Sequence, residues 1–332
     1  MNNTTRAGAR HVVILGTGGT ISGRAASADD NIGYTAGEVG VADLLVGIEA
    51  PAGIALVAEQ VAQVDSKDMD FAVWQALVSR CAHWLAQPDV VGIVITHGTD
   101  TLEETAYFLQ AVLSPDKPVV LTCAMRPATA LSPDGPQNVR DGIVVAATPG
   151  ARGVCAVCAG TVHSALDVKK VHTYRLDAFA SGDAGPIGYV EEGAVRPVRS
   201  WPEARAAGSQ AAVDKIAAVT AVPRIEIVVS HAGAGGAMVD ALMASPTAHE
   251  KTGPLRGLVI AATGNGTVHH VLEAAALRAQ AAGVAVVRAT RCVEGRILAR
   301  PGESLRDAGA LTPVKARIAL MLELLGLPRA ER

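Results

Sequence analysis

The sequence predicts an α/β fold: a larger N-terminal domain with a mainly parallel sheet flanked by helices, and a smaller C-terminal α/β domain of flavodoxin-like or Rossmann-like type. Three observations support that expectation. At 332 residues the chain is longer than one hydrophobic core usually supports, so two domains are the default. Strand-like apolar runs alternate with helix-length segments, the pattern of parallel strands joined by crossover helices. The two most informative runs are VVILGTGGTISG at 12–23 and VGIVITHGTDTLEETAYF at 91–108. Both are β-branched stretches that stop at small, hydroxyl-rich turns, as buried parallel strands do at their C-terminal ends.

Taken in order, strands are expected over 11–16, 54–59, 91–96, 118–123 and 153–158, separated by helix-like stretches such as 70–86 and 101–113. Near 196–222 the alternation lapses into PVRSWPEARAAGSQAAVDK, which reads as an interdomain connection. The expected division is therefore 1–200 for the N-terminal domain that holds the site, 201–222 for the linker and 223–332 for the C-terminal domain. The pattern resumes with a strand at 225–230, a helix at 236–244, a strand at 257–262, a helix at 267–282 and a strand at 284–289. A last helix at 313–325 closes the chain, with Pro313 suited to its first turn.

In open α/β sheets, ligands bind beyond the C-terminal ends of strands, and these two turns present Thr20, Thr99 and Asp100 there. A phosphate site is excluded by spacing. A dinucleotide fingerprint starting at Gly16 needs glycine at position 21, which is Ile21, and no lysine occurs before Lys67 to complete a P-loop. Helix capping is the plainer alternative, since Thr101 to Glu104 has capping-box spacing and Asp100 to Glu103 would also cap. Two turns with the same chemistry shift the reading toward a site.

Composition narrows the function classes. Hydrophobic residues make up 49% and aromatics 3%, so the core must be aliphatic and alanine-rich. A net charge of −3 argues against a general nucleic-acid or anionic-membrane surface. No apolar stretch reaches the length of a membrane span. The polar start MNNTTRAGAR lacks an apolar h-region, so a cytoplasmic location is expected, or a periplasmic one had a precursor been processed. The five cysteines are odd in number; Cys155 and Cys158 form C-x-x-C inside the apolar run GVCAVCAG, with no second pair to complete a zinc site. They are expected to be buried, structural and reduced. The histidines show no metal spacing, and no cofactor is expected.

Taken together, the motifs resemble those of the bacterial-type L-asparaginases and glutaminase-asparaginases. TGGTI at 17–21 and HGTDTLEETA at 97–106 match the family's two signatures. YTAGEVG at 34–40, SKDM at 66–69, AMRP at 124–127, DGPQN at 134–138, DVKK at 167–170 and GNG at 264–266 follow in family order. The resemblance implies the same two-domain division and a threonine amidohydrolase that needs no cofactor, acting on L-asparagine with or without weak action on L-glutamine. It implies catalytic roles for Thr20, Tyr34, Thr99, Asp100 and Lys170, with Tyr34 lying just beyond a small, polar, lid-like segment. It further implies that Ser66 holds the substrate carboxylate and Asp100 its ammonium. Asn265 would reach the site of a neighbouring subunit, in a homotetramer built from dimers.

The chemistry needs these residue types. Amide hydrolysis requires a nucleophile, a group to take its proton and donors for the oxyanion. A threonine hydroxyl is a weak nucleophile that must be activated, and lysine with aspartate near a hydroxyl can relay its proton. Which threonine attacks first stays open at this level, and alone DVKK would read as exposed charge and GNG as a turn.

Two departures touch substrate choice. Lys67 stands where the glutaminase-asparaginases usually have glutamine or glutamate, a cation expected to strengthen carboxylate binding and weaken glutamine use. The segment between Arg291 and Pro313 is short, leaving Glu294 and Glu303 both open as the acidic contact to the substrate amino group. The alternatives are a related amidohydrolase whose small-molecule amide has drifted, an aminoacyl-tRNA amidase, and a catalytically idle amino-acid-binding protein. The five filled reactive positions disfavour the last. The absence of a basic face or RNA-binding segment disfavours the tRNA version.

Overall fold

The computed structural model describes residues 10–202, 209–244 and 253–329. The chain falls into two compact units that divide between Ala217 and Ala218. In the first, β1 (Arg10–Gly18), β2 (Ile54–Val64), α1 (Phe71–Leu85), β3 (Val90–Thr96), α2 (Leu102–Leu113), β4 (Pro118–Thr122), α3 (Gly135–Ala147) and β5 (Gly153–Cys158) follow one another. Five strands in the order β5-β4-β3-β1-β2 pair in parallel. Short strands β6 (Thr161–Ser164), β7 (Lys169–Lys170), β8 (Phe179–Ala180), β9 (Gly188–Glu191) and β10 (Ala194–Pro197) come next. Of these, β6, β9 and β10 extend the large sheet antiparallel beyond β5, while β7 and β8 pair as a separate ribbon.

The expected α/β architecture is present, and each expected strand lies within or overlaps an observed one. Val12, Ile14, Val94, Val120, Cys155 and Val157 alternate onto one buried face, where they join Val139, Ile143 and Val145 of α3 in a common core. This is the pattern of strands covered by a crossover helix. The segment expected as a connection contains a helix, α4 (Ser209–Ala217), whose Ala212, Val213 and Ile216 are buried. It packs on α1 and α2. Spacing i, i+1, i+4 puts those three side chains on one helical face, enough to dock a short segment whose alanines otherwise read as featureless.

The second unit contains β11 (Arg224–Val229), α5 (Ala237–Ala244), β12 (Leu255–Ala262), α6 (His270–Ala281), β13 (Ala285–Thr290), β14 (Arg306–Asp307) and α7 (Pro313–Leu324). Its four strands lie in sequential order, all parallel. Thr312 caps α7 by accepting from the Lys315 N–H, and Pro313 occupies the first turn as expected.

Chain order matters for the first unit. The chain passes from β1 to β2 on one side, then returns to lay β3 on the other side of β1. The C-terminal ends of β1 and β3 therefore flank a topological switch point, where open α/β sheets bind ligands. A buried polar chain fixes the end of β3. Trp74 Nε1 donates to Thr105 Oγ1 at 2.9 Å, Thr105 contacts His97 Nε2 at 2.9 Å, and His97 Nδ1 contacts the Gly98 carbonyl at 2.7 Å. Trp74 can only donate and the carbonyl can only accept. The consistent assignment is a Thr105 hydroxyl donating to Nε2 and a neutral imidazole donating from Nδ1. Burial holds the His97 pKa down at about 4.

The neutral ring makes stability pH-dependent. An unfolded histidine titrates near ~6.5, above the folded value. The stabilisation is full above pH ~6.5, declines as pH falls toward ~4 and is absent below, a span of about 3 kcal/mol. Urea midpoints measured between pH 7.5 and 4.5 should fall more steeply in the wild type than in a His97→Gln variant. Equal slopes would refute the assignment.

Candidate active site

The site begins with two glycine-permitted turns pressed against each other. At the end of β1, Gly18 and the following Gly19 adopt φ of 101° and 82°, left-handed values that other residues rarely reach. A Cβ at Gly19 would lie 2.4 Å from Gly98 Cα, and one at Gly98 would lie 2.3 Å from Ser66 Oγ. Glycine at both positions lets the β1 and β3 turns meet backbone to backbone, with the Ser66 side chain, after β2, packed against Gly98. Thr17 Oγ1 donates to the Thr96 carbonyl at 2.8 Å, fastening the two strand ends together.

On this base Thr20 and Thr99 are both mostly buried. Thr20 Oγ1 lies 2.5 Å from the Tyr34 hydroxyl, and either oxygen can be the donor. The segment between them is closed at its base by an antiparallel bridge from Arg24 to Thr35. Hydrogen bonds from Ala25 to Thr129 and from Leu131 to Ala28 dock it on residues 128–131. Gly23 makes room for the Tyr34 ring, since a Cβ there would lie 2.7 Å from Tyr34 Cδ2. Burial raises the Tyr34 pKa above its usual value against the lowering effect of the Thr20 hydrogen bond. The charges of Asp65 and Asp100 raise it further, and Lys67 lowers it. Tyr34 therefore holds its proton at neutral pH.

The second group centres on Lys170, on β7. Its Nζ donates to Thr99 Oγ1 at 2.7 Å and to Asp100 Oδ1 at 2.6 Å. An ammonium donates and cannot accept, so Thr99 accepts from it and keeps its own proton to donate elsewhere. Ser66 Oγ accepts from the Asp100 N–H at 3.2 Å, and the Ser66 carbonyl accepts from Thr101 Oγ1 at 2.7 Å. The capping reading of this turn is thereby corrected. Thr101 is the N-cap of α2 but makes no side-chain cap bond, because its hydroxyl is drawn to Ser66, and the Asp100 carboxylate is drawn to Lys170.

Lys67 is placed beside the site with its ammonium turned onto Asp65 at 2.6 Å and Asp68 at 3.2 Å. Hydrogen bonds to those two carboxylates raise its pKa. Residues that the sequence reading did not single out complete the surroundings. Asp65 caps the short 3-10 turn Ser66–Asp68. Glu103 Oε1 accepts the Lys170 backbone N–H at 3.3 Å, while its other oxygen is buried without a partner. The signal for Glu103 was its place in the second signature, where it read only as a possible cap.

Asn265 belongs to the second unit. Its amide accepts from the Leu298 N–H at 2.7 Å and donates to the Leu298 carbonyl at 3.1 Å. The turn is held by Thr290 on the Gly264 carbonyl and Arg288 on the Gly266 carbonyl. The Glu303 carboxylate is engaged by Arg288 and by the Arg300 N–H, whereas Glu294 lies in an exposed stretch. Among the described residues, no group of three or more His, Cys, Asp or Glu gathers to hold a metal ion. Nor is any helix long and apolar enough to cross a membrane.

Comparison with known proteins agrees over nearly the whole chain. Residues 11–202 match the family model "Asparaginase, N-terminal", and 224–326 match "Glutaminase/Asparaginase C-terminal domain". The L-asparaginase 2 of Bacillus subtilis (strain 168) is 36% identical over 95% of this chain and 82% of that protein. The glutaminase-asparaginase of Pseudomonas fluorescens biotype A is 35% identical over 95% of this chain and 86% of that protein. The crystal structure of a probable cytoplasmic L-asparaginase from Campylobacter jejuni superposes with a TM-score of 0.84 at 34% identity, covering 95% of both chains. With both family models matched in order, the chain belongs to the asparaginase/glutaminase-asparaginase family.

Proposed function

We propose that this chain is an L-asparaginase, hydrolysing L-asparagine to L-aspartate and ammonia through a threonine nucleophile, with weak action on L-glutamine. The observation that supports this most is the convergence of two engaged threonine hydroxyls, Thr20 with Tyr34 and Thr99 with Lys170, whose ammonium also pairs with Asp100. A threonine oxygen attacks the side-chain amide carbon, its proton passes to a neighbouring group, and ammonia leaves carrying a proton. Water then cleaves the resulting ester, releasing aspartate and restoring the hydroxyl. Thr20 fills the nucleophile's place in the first signature. Thr99, oriented by Lys170, positions water or a proton.

Recognition follows from the free valences of the same residues. Ser66 accepts from Asp100 and so retains a hydroxyl proton for the substrate carboxylate. Asp100 gives Oδ1 to Lys170, and its second oxygen is the group for the α-ammonium, a charge-assisted contact. Asn265 serves a neighbouring subunit's site in a tetramer of paired dimers, and a fully active monomer would exclude that part of the reading. The commitment of Glu303 to Arg288 favours Glu294 as the acidic partner there. The proposed location is the cytoplasm.

Ammonia release from L-asparagine, L-glutamine and D-asparagine tests the assignment. Thr20→Ala and Tyr34→Phe should each lower asparagine kcat by roughly 10²–10⁴. Release from none of the three amides would move the reading to a family amidase with another substrate. Lys67→Gln should raise the glutamine-to-asparagine ratio of kcat/KM by less than about tenfold, because two carboxylates already compensate that cation; an unchanged ratio would remove Lys67 from substrate choice. Glu103→Ala should lower kcat about tenfold with KM unchanged, and Glu103→Gln, which keeps an acceptor for the Lys170 N–H, should recover most of it. Equal losses in both variants would argue for a purely electrostatic role.

A further inference from the structure

We infer that Cys123 and Cys158 are a disulfide-forming pair, closed by exchange with a low-molecular-weight disulfide when the chain folds under oxidising conditions. The inference goes beyond the proposed reaction and does not depend on it. The last ladder pair of β4 and β5 is Thr122 opposite Val157, so the next residues, Cys123 and Cys158, face each other across neighbouring strand ends. Their sulfurs lie 3.1 Å apart. Strand spacing of about 4.8 Å falls inside the Cα separations that disulfides span, roughly 4.4–6.8 Å. Closing to a bond of about 2.05 Å therefore requires about 1 Å of sulfur movement and no change of register.

The remaining cysteines are placed elsewhere. Successive strand residues point to opposite faces. Cys155 accordingly joins Val120 and Val157 in the core on the other side of the sheet, so the C-x-x-C spacing does not unite its own two sulfurs. Burial pushes the Cys155 thiol up to about 12. Cys81 is buried on α1, and Cys292 is exposed in the second unit.

Asn138 already braces the backbone around both members of the pair. Its Nδ2 donates to the Cys123 carbonyl at 2.9 Å, and its Oδ1 accepts from the N–H of Ala159 at 3.0 Å. A bond between the sulfurs would add a covalent tie where a side-chain amide now bridges. The loop it closes spans 35 positions and encloses α3 and β5.

The folded state explains when closure happens. Both side chains are buried, and the contact with Cys158, followed by burial, holds the Cys123 thiol well above its usual range. Thiolate is the attacking form, so exchange proceeds on the folding or opened chain. One cysteine thiolate attacks a sulfur of the small disulfide, expelling one small thiol and leaving a mixed disulfide. The second cysteine then attacks the protein-side sulfur and expels the other small thiol. Two protein thiols are oxidised, and one small disulfide is reduced to two thiols. In a reducing cytoplasm the pair stays open.

The test refolds the full-length chain from denaturant in a buffer of reduced and oxidised glutathione, with a reduced control, followed by alkylation and peptide mapping. The expected product is a peptide joining Cys123 to Cys158, with Cys155 alkylated and the thermal midpoint raised by about 5 °C over the control. Cys155→Ser should leave the link intact, and Cys158→Ser should abolish it. If Cys158→Ser fails to fold, the wild-type peptide map still decides. Absence of the joined peptide, a link involving Cys155, or only glutathione adducts would overturn the inference.

Discussion

The contact between Gly19 and Gly98 is the constraint on which the first unit's site depends. It occurs at the switch point of the sheet, where the strand ends flank the crevice that α/β proteins use for ligands. With any side chain at either position the two turns could not meet, because the space is filled by backbone and by Ser66. Their approach brings the Thr20–Tyr34 pair beside Thr99 and Asp100, from a strand end 79 residues further along the chain, with Lys170 another 71 residues beyond Thr99.

Around that contact, most buried polar groups are satisfied by partners within the protein, with Glu103 Oε2 an exception. Thr17 is bound to Thr96, Thr101 to Ser66, His97 to Thr105 and Gly98, and Asn138 to the ends of β4 and β5. Buried polar groups without partners are costly. With most of the surroundings already paired, the hydroxyls proposed to react, together with Ser66 and Asp100, are the groups left with capacity for a ligand. Such a frame also limits how far a side chain can drift, which matters because small misplacements reduce rate steeply.

Much of this was legible in the residues, and the exceptions have physical causes. Long apolar runs located β1 to β5 and β11 to β13, because burial on both faces leaves a nearly continuous hydrophobic signature, whereas the two-residue β14 left none. The strands from β6 to β10 are two to four residues long, too short for any periodicity to register. Helix α3 begins with Gly135-Pro136-Gln137 and contains Gly142, so its start reads as a turn although its buried side chains pack on β3 and β4. At the site, residue types and spacing pointed to the two hydroxyl groups. They could not show that Thr101 would bond to Ser66 rather than cap α2, or that Lys67 would turn onto Asp65 and Asp68. Those outcomes depend on which partners the fold brings within reach.

The position of Lys67 has a consequence separate from substrate choice. Tyr34 keeps its proton chiefly because it is buried, and the negative charges of Asp65 and Asp100 add to that effect while Lys67 opposes it. Lys67 is hydrogen-bonded to Asp65, so its charge partly offsets that of Asp65 as seen from the phenol. Removing the lysine alone would leave Asp65 uncompensated and make Tyr34 harder to ionise, which in the proposed reaction would slow proton transfer from Thr20 for every substrate alike. Replacing Asp65 as well would restore the balance. In the proposed binding mode, a substrate ammonium on Asp100 would act in the opposite sense, since it would bring a cation into the field of the same phenol. Ligand binding would therefore ease Tyr34 ionisation at the moment when the Thr20 proton must move. In kinetic terms, Lys67→Gln would lower kcat by a common factor for asparagine and glutamine, superimposed on any change in their ratio. The Asp65→Asn, Lys67→Gln double variant would recover the common factor alone.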